Sequence, residues 1–324
     1  MIGIIGSSIK RRRIPRTWTM NTDHSFEAGA SSLLWRVRYG SDGYWVIVGR
    51  KNTNTAGMIN YTTDPTGTWS EPTTLGYGNG EMARTISFDG TNWGTSGYSK
   101  NFVYKATPPS GNWTSADWTG TTTNAYGGDY GNGYWAMGGD APAIVYKSSI
   151  AGSYSTATEP FTVQINCIQY GADGYWVAGG TNNEIATASS TPVTFTARTS
   201  PMDAGSTITN AAHGYKPDGT SIWVIVGTTG QLGYATDPTS TWTVVDEPGP
   251  FTTSDTIRGV GYGNGCWVIG GDAGKLAYAT DPTDTWTTLT SGFSTSYIAA
   301  VGYGNGYWVI GGQNGKMATS PIVV

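Results

Sequence analysis

Four arginines are the side chains in this sequence whose type and placement suit the binding of a ligand. They stand a little before recurring tryptophans, and they are Arg36, Arg38, Arg84 and Arg258. A guanidinium pairs with a carboxylate through two parallel hydrogen bonds, so arginines that converge on one pocket would bind an acid. We predict that these arginines, together with His213, line a central channel.

The sequence contains no motif for other common chemistries. His24 and His213 are the only histidines, and neither has the spacing of a metal ligand. No Gly-x-Ser-x-Gly element and no phosphate-binding loop occurs, and the Gly-x-Gly triplets stand between strand-like runs with no helix to receive a phosphate. Cys167 and Cys266 are too few for a disulfide scaffold and are predicted to be buried free thiols. We therefore predict no metal, no cofactor and no catalytic residue.

A sequence repeat would position the arginines. The phrase Tyr-Gly-Asn-Gly-Tyr-Trp-Val and its variants recur seven times, with tryptophans at Trp45, Trp93, Trp135, Trp176, Trp223, Trp267 and Trp308. Successive tryptophans are 41–48 residues apart, a period that fits one four-stranded propeller blade. Each copy contains short strand-like runs separated by tight glycine turns, and one such sheet cannot bury both faces alone. Packing the sheets around a ring would bury them.

The two ends of the sequence carry complementary parts of one repeat. The seventh copy supplies only three strands, whereas Trp18 and Thr19 near the start match Trp286 and Thr287, which open the outer strand of the sixth copy. A closed ring needs this arrangement and an open solenoid does not. We predict an all-β, seven-bladed β-propeller over residues 14–324, closed by residues 14–20 as the outer strand of the last blade, and an N-terminal arm over residues 1–13.

Composition excludes several classes of partner. The chain has 324 residues, 48 of them glycine, with 12% charged residues and a formal net charge of −4. No broad basic field is present to bind nucleic acid, and no run of 18 apolar residues is present to insert into a membrane. The one dense basic run comprises Lys10, Arg11, Arg12 and Arg13. It is either a solvated arm or a docking arm for an acidic neighbour such as another subunit.

The pattern Asp-Pro-Thr-x-Thr-Trp occurs at residues 64–69, 237–242 and 281–286. Its Asp, Thr and Trp positions resemble the Asp-box repeat of sialidase-like propellers, Ser-x-Asp-x-Gly-x-Thr-Trp. In that family the turn is structural and lies away from the active site. The resemblance to sialidases implies three convergent arginines, a tyrosine nucleophile paired with glutamate, and an acidic proton donor. No glutamate here stands beside a candidate tyrosine in a recognisable motif.

The whole repeat also resembles two other groups of propellers. With its Trp-Val-x-Gly-Gly phrase, the chain is similar to seven-bladed photosynthesis assembly factors related to YCF-type propellers. It is similar as well to propeller proteins of bacteriophages and environmental viruses that use Gly-Asn-Gly-Tyr-Trp repeats. The resemblance covers most of the chain and is specific for the fold only.

The connections between blades differ most from one copy to the next, and in a propeller they share one face. Loops on a rigid scaffold commonly carry function. Aromatic side chains beside Asn and Asp there suit contact with a glycan or a protein. The predicted binding residues on this variable-loop face are Trp118, Tyr126, Tyr154 and Phe251, with packing between blades as the alternative role.

These observations predict a non-enzymatic structural or binding protein. The first hypothesis is a bacteriophage tail or host-attachment component located in the virion, which docks to other virion proteins through the arm and contacts a host-surface glycan or protein. The first alternative is a scaffold or assembly-factor propeller that is soluble in the cytoplasm. The second is a sialidase-like glycan hydrolase.

Overall fold

The computed structural model describes residues 14–15, 17–22, 32–51, 57–77, 81–117 and 124–322. These residues form seven antiparallel sheets arranged as the seven blades of a β-propeller, which confirms the predicted fold. Within each blade the strands follow one another from the inside of the ring to the outside.

The strands of the first four blades are β2 (Leu33–Tyr39), β3 (Trp45–Arg50) and β4 (Gly57–Thr62) in blade 1; β5 (Ser87–Phe88), β6 (Asn92–Ser96), β7 (Asn101–Ala106) and β8 (Thr114–Asp117) in blade 2; β9 (Ala125–Gly131), β10 (Tyr134–Gly139), β11 (Ile144–Lys147) and β12 (Ser155–Thr156) in blade 3; and β13 (Ile165–Tyr170), β14 (Tyr175–Gly180), β15 (Ile185–Ser189) and β16 (Thr196–Arg198) in blade 4.

The strands of the remaining blades are β17 (Ile208–Tyr215), β18 (Ser221–Gly227), β19 (Gln231–Ala235) and β20 (Thr243–Asp246) in blade 5; β21 (Ile257–Gly263), β22 (Cys266–Gly271), β23 (Lys275–Ala279) and β24 (Thr287–Thr290) in blade 6; and β25 (Ile298–Gly304), β26 (Tyr307–Gly312) and β27 (Met317–Pro321) in blade 7. Three short 3-10 turns cover Tyr98–Lys100, Thr181–Asn183 and Asp272–Gly274.

The N-terminal strand β1 (Thr19–Met20) completes blade 7. It pairs antiparallel with β27, with Thr19 opposite Thr319 and Met20 opposite Ala318. The predicted closure of the ring by an N-terminal outer strand is therefore confirmed. Blade 1 has a single antiparallel bridge, Tyr61 to Ser70, where the other blades have a fourth strand.

The seven repeated tryptophans are the cores of their blades. Each lies on or at the start of the second strand and is at most 3% exposed. Each packs against an aromatic side chain of its own inner strand, with ring centroids 4.6–5.2 Å apart. We call these partners the aromatic ring: Tyr39, Phe88, Tyr130, Tyr170, His213, Tyr262 and Tyr303.

The glycine that follows most aromatic-ring residues makes room for the next blade. A Cβ on Gly263 would lie 2.1 Å from the ring of Tyr303, and one on Gly304 would lie 2.3 Å from Tyr39. The same interlock therefore joins blade 6 to blade 7 and blade 7 to blade 1. In blade 2 the residue after Phe88 is Asp89 instead of glycine. The repeated Tyr-Gly pair thus fixes how adjacent blades meet.

Candidate binding site in the central channel

A β-bulge in each inner strand aims one side chain at the channel. In blade 1 the pairing passes from Leu34 to Arg36 and leaves Trp35 out of register. The same skip occurs in five other blades, at Tyr126, Asn166, Thr209, Arg258 and Ala299. In blade 2 the N–H groups of Arg84 and Thr85 both donate to the carbonyl of Ser96. Bulges commonly re-aim side chains beside functional sites.

The bulged residues occupy one position of the repeat, four residues before the aromatic-ring residue. They meet around a cavity of about 200 Å³ at the end of the channel where the inner strands begin. We call them the entrance ring: Trp35, Arg84, Tyr126, Asn166, Thr209, Arg258 and Ala299. Thr207 and Arg36 complete the lining. The connections between blades enter the inner strands on this same face of the propeller.

Arg84 is held between aromatic faces in this cavity. Its guanidinium carbon lies 4.0 Å from the ring centroid of Trp35 and 4.9 Å from that of Tyr126. Burial is the main cause that lowers the pKa of Arg84 below its ordinary value, and neighbouring tyrosines partly offset it. Burial likewise raises the pKa of Tyr126 to about 12. Because a guanidinium is not deprotonated in proteins, the site holds a charged arginine beside a protonated phenol at neutral pH.

Arg36 reaches across the channel from blade 1 to blade 5. It donates to the carbonyl of Trp35 at 2.9 Å and to that of Thr209 at 3.5 Å. Burial lowers the pKa of Arg36 to about 10, and repulsion from Arg84 contributes a little. Arg36 also lines a second cavity of about 390 Å³ further along the channel. Its guanidinium therefore separates the two cavities and remains positively charged at neutral pH.

Arg258 differs from the other two cavity arginines because it already has an acidic partner. Its Nε lies 2.7 Å from Oδ1 of Asp272, and its guanidinium carbon stands 4.5 Å from the ring centroid of Tyr297. Both members of the ion pair are about one-third exposed. Arg36, Arg84 and Arg258 thus converge on one cavity, and no Asp or Glu is among the described residues that line it.

Arg38 lines the second cavity, where its guanidinium forms an ion pair within the protein. Its Nη1 lies 2.6 Å from Oδ1 of the buried Asp129. Ser87 donates to the same oxygen at 2.8 Å, and the second oxygen accepts from the side chain of Gln169 and from the N–H of Tyr170 at 3.0 Å. Asp129 therefore ties blades 1, 2, 3 and 4 together. Arg38 therefore lines the channel at the second cavity and is not among the residues that line the entrance cavity.

His213 also lines the second cavity, as a member of the aromatic ring. Its Nδ1 accepts from the N–H of Ala172 at 3.3 Å, and its Nε2 lies 2.8 Å from Oγ of Ser221. Burial lowers the pKa of His213, and the carboxylate of Asp173, 3.6 Å away, offsets only part of that effect.

We expect His213 to make the protein less stable in mild acid. Because its pKa is lower in the folded than in the unfolded chain, the unfolded chain binds more protons below about pH 6.5, the ordinary value for histidine. The stability that neutral His213 contributes is thus present above about pH 6.5 and is lost as the pH falls from there through the lowered pKa. Melting temperatures across this range measure the effect, and His213→Asn should flatten the profile. Parallel profiles for the two proteins would contradict the prediction.

The four aromatic residues predicted for the variable-loop face do not share one location. Tyr126 lines the entrance cavity. Phe251 lies on a connection between blades but is 1% exposed and packed in the core of blades 5 and 6, so its prediction as an exposed binding residue is wrong. Tyr154 lies between β11 and β12, at the opposite face of the ring, where its ring centroid is 6.5 Å from that of Phe102. Trp118 lies outside the described residues.

The remaining predictions concern the arm, the cysteines and the membrane. Lys10, Arg11, Arg12 and Arg13 lie outside the described residues, so the docking arm remains a prediction. Cys167 and Cys266 are buried free thiols, and burial raises the pKa of each to about 12. Over the described ranges, no group of three or more His, Cys, Asp and Glu is placed to hold a metal ion. No helix in that part of the chain is long and apolar enough to span a membrane.

Trp35 and Asn166 are among the site residues that sequence reasoning missed, together with Thr207, Thr209 and Ala299. Trp35 and Asn166 occupy the entrance-ring position, which can be found by counting four residues back from Tyr39 and Tyr170. That position carries a different residue type in nearly every copy, whereas its neighbours repeat. Variation at one position of an otherwise regular repeat was the available signal.

Comparison with known proteins identifies the fold. No family model matches the chain, and no curated protein matches its sequence. A solved structure titled "YCF48 bound to D1 peptide" is 15% identical, with a TM-score of 0.72 over 96% of each chain. YCF48 from Cyanidioschyzon merolae is 14% identical, with a TM-score of 0.70 over 94% of this chain and 98% of that one. The likeness concerns the fold.

These comparisons overturn the prediction of a bacteriophage virion component and of a location in the virion. Two solved structures that are similar to nearly the whole chain are YCF48 propellers and not virion components. The viral resemblance rested on the Gly-Asn-Gly-Tyr-Trp phrase, which the ring itself requires. Gly265 has φ 72° in its hairpin turn, and the tryptophan that follows each turn is buried. The phrase therefore indicates how a blade is built and not the class of protein to which the chain belongs. The chain is a seven-bladed β-propeller that is similar in fold to YCF48.

Proposed function

We propose that this chain is a non-enzymatic scaffold or assembly-factor propeller that holds a segment of a partner protein at the face where its inner strands begin. The observation that carries the proposal is the entrance ring. Guanidinium groups and aromatic faces stand together there at the mouth of the channel, on the same face as the connections between blades.

The residue types of the ring favour a protein ligand. Trp, Tyr and Arg dominate the residues that contribute most to protein–protein binding. Trp35, Tyr126, Arg84 and Arg258 supply all three types within one cavity lining. A guanidinium stacked on aromatic rings loses little side-chain freedom on binding, because it is already fixed.

The lining does not favour catalysis. Glycoside hydrolysis needs a carboxyl group placed to donate a proton, and the described lining residues include none. Tyr126 is a poor nucleophile because its raised pKa keeps the hydroxyl protonated. Support for binding comes from YCF48, whose structure was solved bound to D1 peptide. For this chain we infer a peptide ligand of the same general kind, an extended segment of another protein.

A peptide-binding measurement tests the proposal. Fluorescently labelled protein is applied to an array of random 12-residue peptides that also carries D1 peptide, and affinities of the hits are measured by fluorescence anisotropy. We expect saturable binding of a subset of peptides. Tyr126→Ala and Arg258→Met should each weaken that binding about tenfold, since an interface anchor contributes more than about 1 kcal/mol.

Arg198→Met is the matched control, because it also removes a guanidinium but from outer strand β16, where Arg198 donates to Thr187 at 2.8 Å. It should leave peptide binding unchanged. Absence of binding to every peptide, or binding that Arg198→Met weakens as much as Arg258→Met does, would refute the proposal.

A further inference from the structure

The entrance cavity contains three buried hydrogen-bonding atoms that have no partner, and all three are N–H donors. They are Nε1 of Trp35, Nε of Arg84 and Nδ2 of Asn166. Their side chains come from blades 1, 2 and 4 and line the same cavity of about 200 Å³. Buried polar atoms are nearly always paired, so three unpaired donors around one small space require an explanation.

Several acceptors of the cavity are already used. Oδ1 of Asn166 accepts from the side chain of Gln164, and the carbonyls of Trp35 and Thr209 accept from Arg36. The hydroxyl of Thr209 donates to the backbone carbonyl of Ile257 at 2.6 Å. The buried polar atoms of the described lining that lack a partner are thus all donors, and they need a ligand that accepts.

The charge of the cavity favours the same kind of ligand as its unpaired donors do. In the part of the chain that the structure describes, neither Arg36 nor Arg84 has a carboxylate within 4.0 Å. Both guanidinium groups are charged at neutral pH although they are buried. Buried charges in proteins are normally paired, so these two favour an anion in the space between them.

The setting of Arg84 selects the shape of that anion. Trp35 and Tyr126 lie along the guanidinium at 4.0 and 4.9 Å, and the side chain of Tyr98 hydrogen-bonds to it. The donor that remains without a partner is Nε, on one edge of the guanidinium. Pairing with a guanidinium edge through two parallel hydrogen bonds is the geometry of a planar carboxylate. The flanking aromatic rings also suit the carbon chain on which a carboxylate is carried.

We propose that the entrance cavity is a carboxylate-binding site that receives one carboxylate of the bound segment through Trp35, Arg84 and Asn166, with Arg36 below it. The inference rests on the proposed function for the origin of the carboxylate. The site itself is tested with a free small-molecule acid and no peptide, so the two proposals can fail separately.

Indole N–H signals report directly on the site. Protein labelled with ¹⁵N at its tryptophan indoles is titrated with sodium acetate at constant ionic strength, and the signal missing from Trp35→Phe is followed. We expect that signal to shift downfield and saturate, because Nε1 of Trp35 gains an acceptor. Acetamide, which has the same shape without the charge, and chloride should not shift it. Saturation by sulfate with no response to acetate would overturn the carboxylate assignment.

Asn166→Asp provides an internal mimic of the ligand. It keeps an oxygen for Gln164 and places a carboxylate among the cavity donors. We expect a higher melting temperature than wild type and no response of the Trp35 signal to acetate. A lower melting temperature with the acetate response intact would overturn the proposal. Arg198→Met is again the control and should respond to acetate as wild type does.

Arg84→Lys keeps the experiment decisive if Asn166→Asp does not fold. Lysine retains the charge but lacks Nε and the planar edge, so acetate should bind about tenfold more weakly. An unchanged affinity would exclude Arg84 from the site. If acetate leaves the Trp35 signal unmoved while peptides bind through Arg258, the carboxylate site is wrong and the proposed function stands. If acetate binds but no peptide does, the carboxylate site stands and the proposed function is wrong.

Discussion

Gly139→Ala is expected to lower the free energy of unfolding by about 4 kcal/mol or more, at the extreme of single substitutions. A Cβ at this position would lie 1.5 Å from the carbonyl oxygen of Asn124. That oxygen belongs to the backbone just before the bulge at Tyr126, so relieving the overlap means pulling the inner strand of blade 3 away from β10. Urea denaturation monitored by tryptophan fluorescence measures the loss.

Gly133→Ala, in the same blade, is the matched control. Gly133 has φ 82° in the turn between β9 and β10, and a Cβ there would meet nothing within 4 Å. Its cost is limited to the left-handed backbone conformation, about 1 kcal/mol. Equal losses for the two variants would show that the bulge does not require glycine opposite it. If Gly139→Ala folds, its affinity for acetate should also fall, since Tyr126 depends on the bulge.

Asp129→Asn is the second substitution with a large expected effect, a loss of about 3 kcal/mol in unfolding free energy. Asp129 is 3% exposed and accepts hydrogen bonds from Arg38, Ser87, Gln169 and the backbone of Tyr170. An asparagine would turn one acceptor into a donor that faces other donors, and it would leave Arg38 without its carboxylate. Thermal or urea unfolding of the two proteins measures this loss.

Asp272→Asn separates this effect from a general effect of removing an arginine's partner. Asp272 pairs in the same way with an arginine that lines the channel, Arg258, but the two side chains are 29% and 32% exposed. Solvent screens such a pair, so its loss should cost about 1 kcal/mol or less. The interpretation of Asp129 as the hub of four blades would be wrong if both variants lost the same amount.

The fold could be predicted from the sequence because each repeated residue has the same task in every blade. Trp267 and Trp308 fill equivalent cores, and Gly263 makes room for Tyr303 just as Gly304 does for Tyr39. The closing strand was recognisable because Trp18 and Thr19 repeat Trp286 and Thr287. The repeated residues therefore made the architecture predictable, including the way in which the ring closes.

The site was predicted only in part, because it lies where the copies differ. Charge identified Arg36, Arg84 and Arg258 as channel residues, but nothing in their spacing shows that Arg38 points instead to Asp129. Arg36 and Arg38 both follow the bulge and lie two residues apart on the same face of the inner strand, so Arg38 lies further along the channel. Phe251 illustrates a second limit, since an aromatic residue in a connection has no periodicity that tells whether it faces solvent or the core.

The interlock between aromatic residue and glycine also makes the six blades that carry it interchangeable units. Such a blade meets its neighbours through one aromatic side chain on one side and one glycine on the other, so copies of one such blade would fit together at every junction, including the last. A ring grown by duplicating one ancestral blade would be stable in this respect from the start. Its entrance ring, however, would carry one residue type seven times, and seven copies of Arg258 would repel one another. Divergence at that single position is what turns a symmetric ring into one with a distinct binding site.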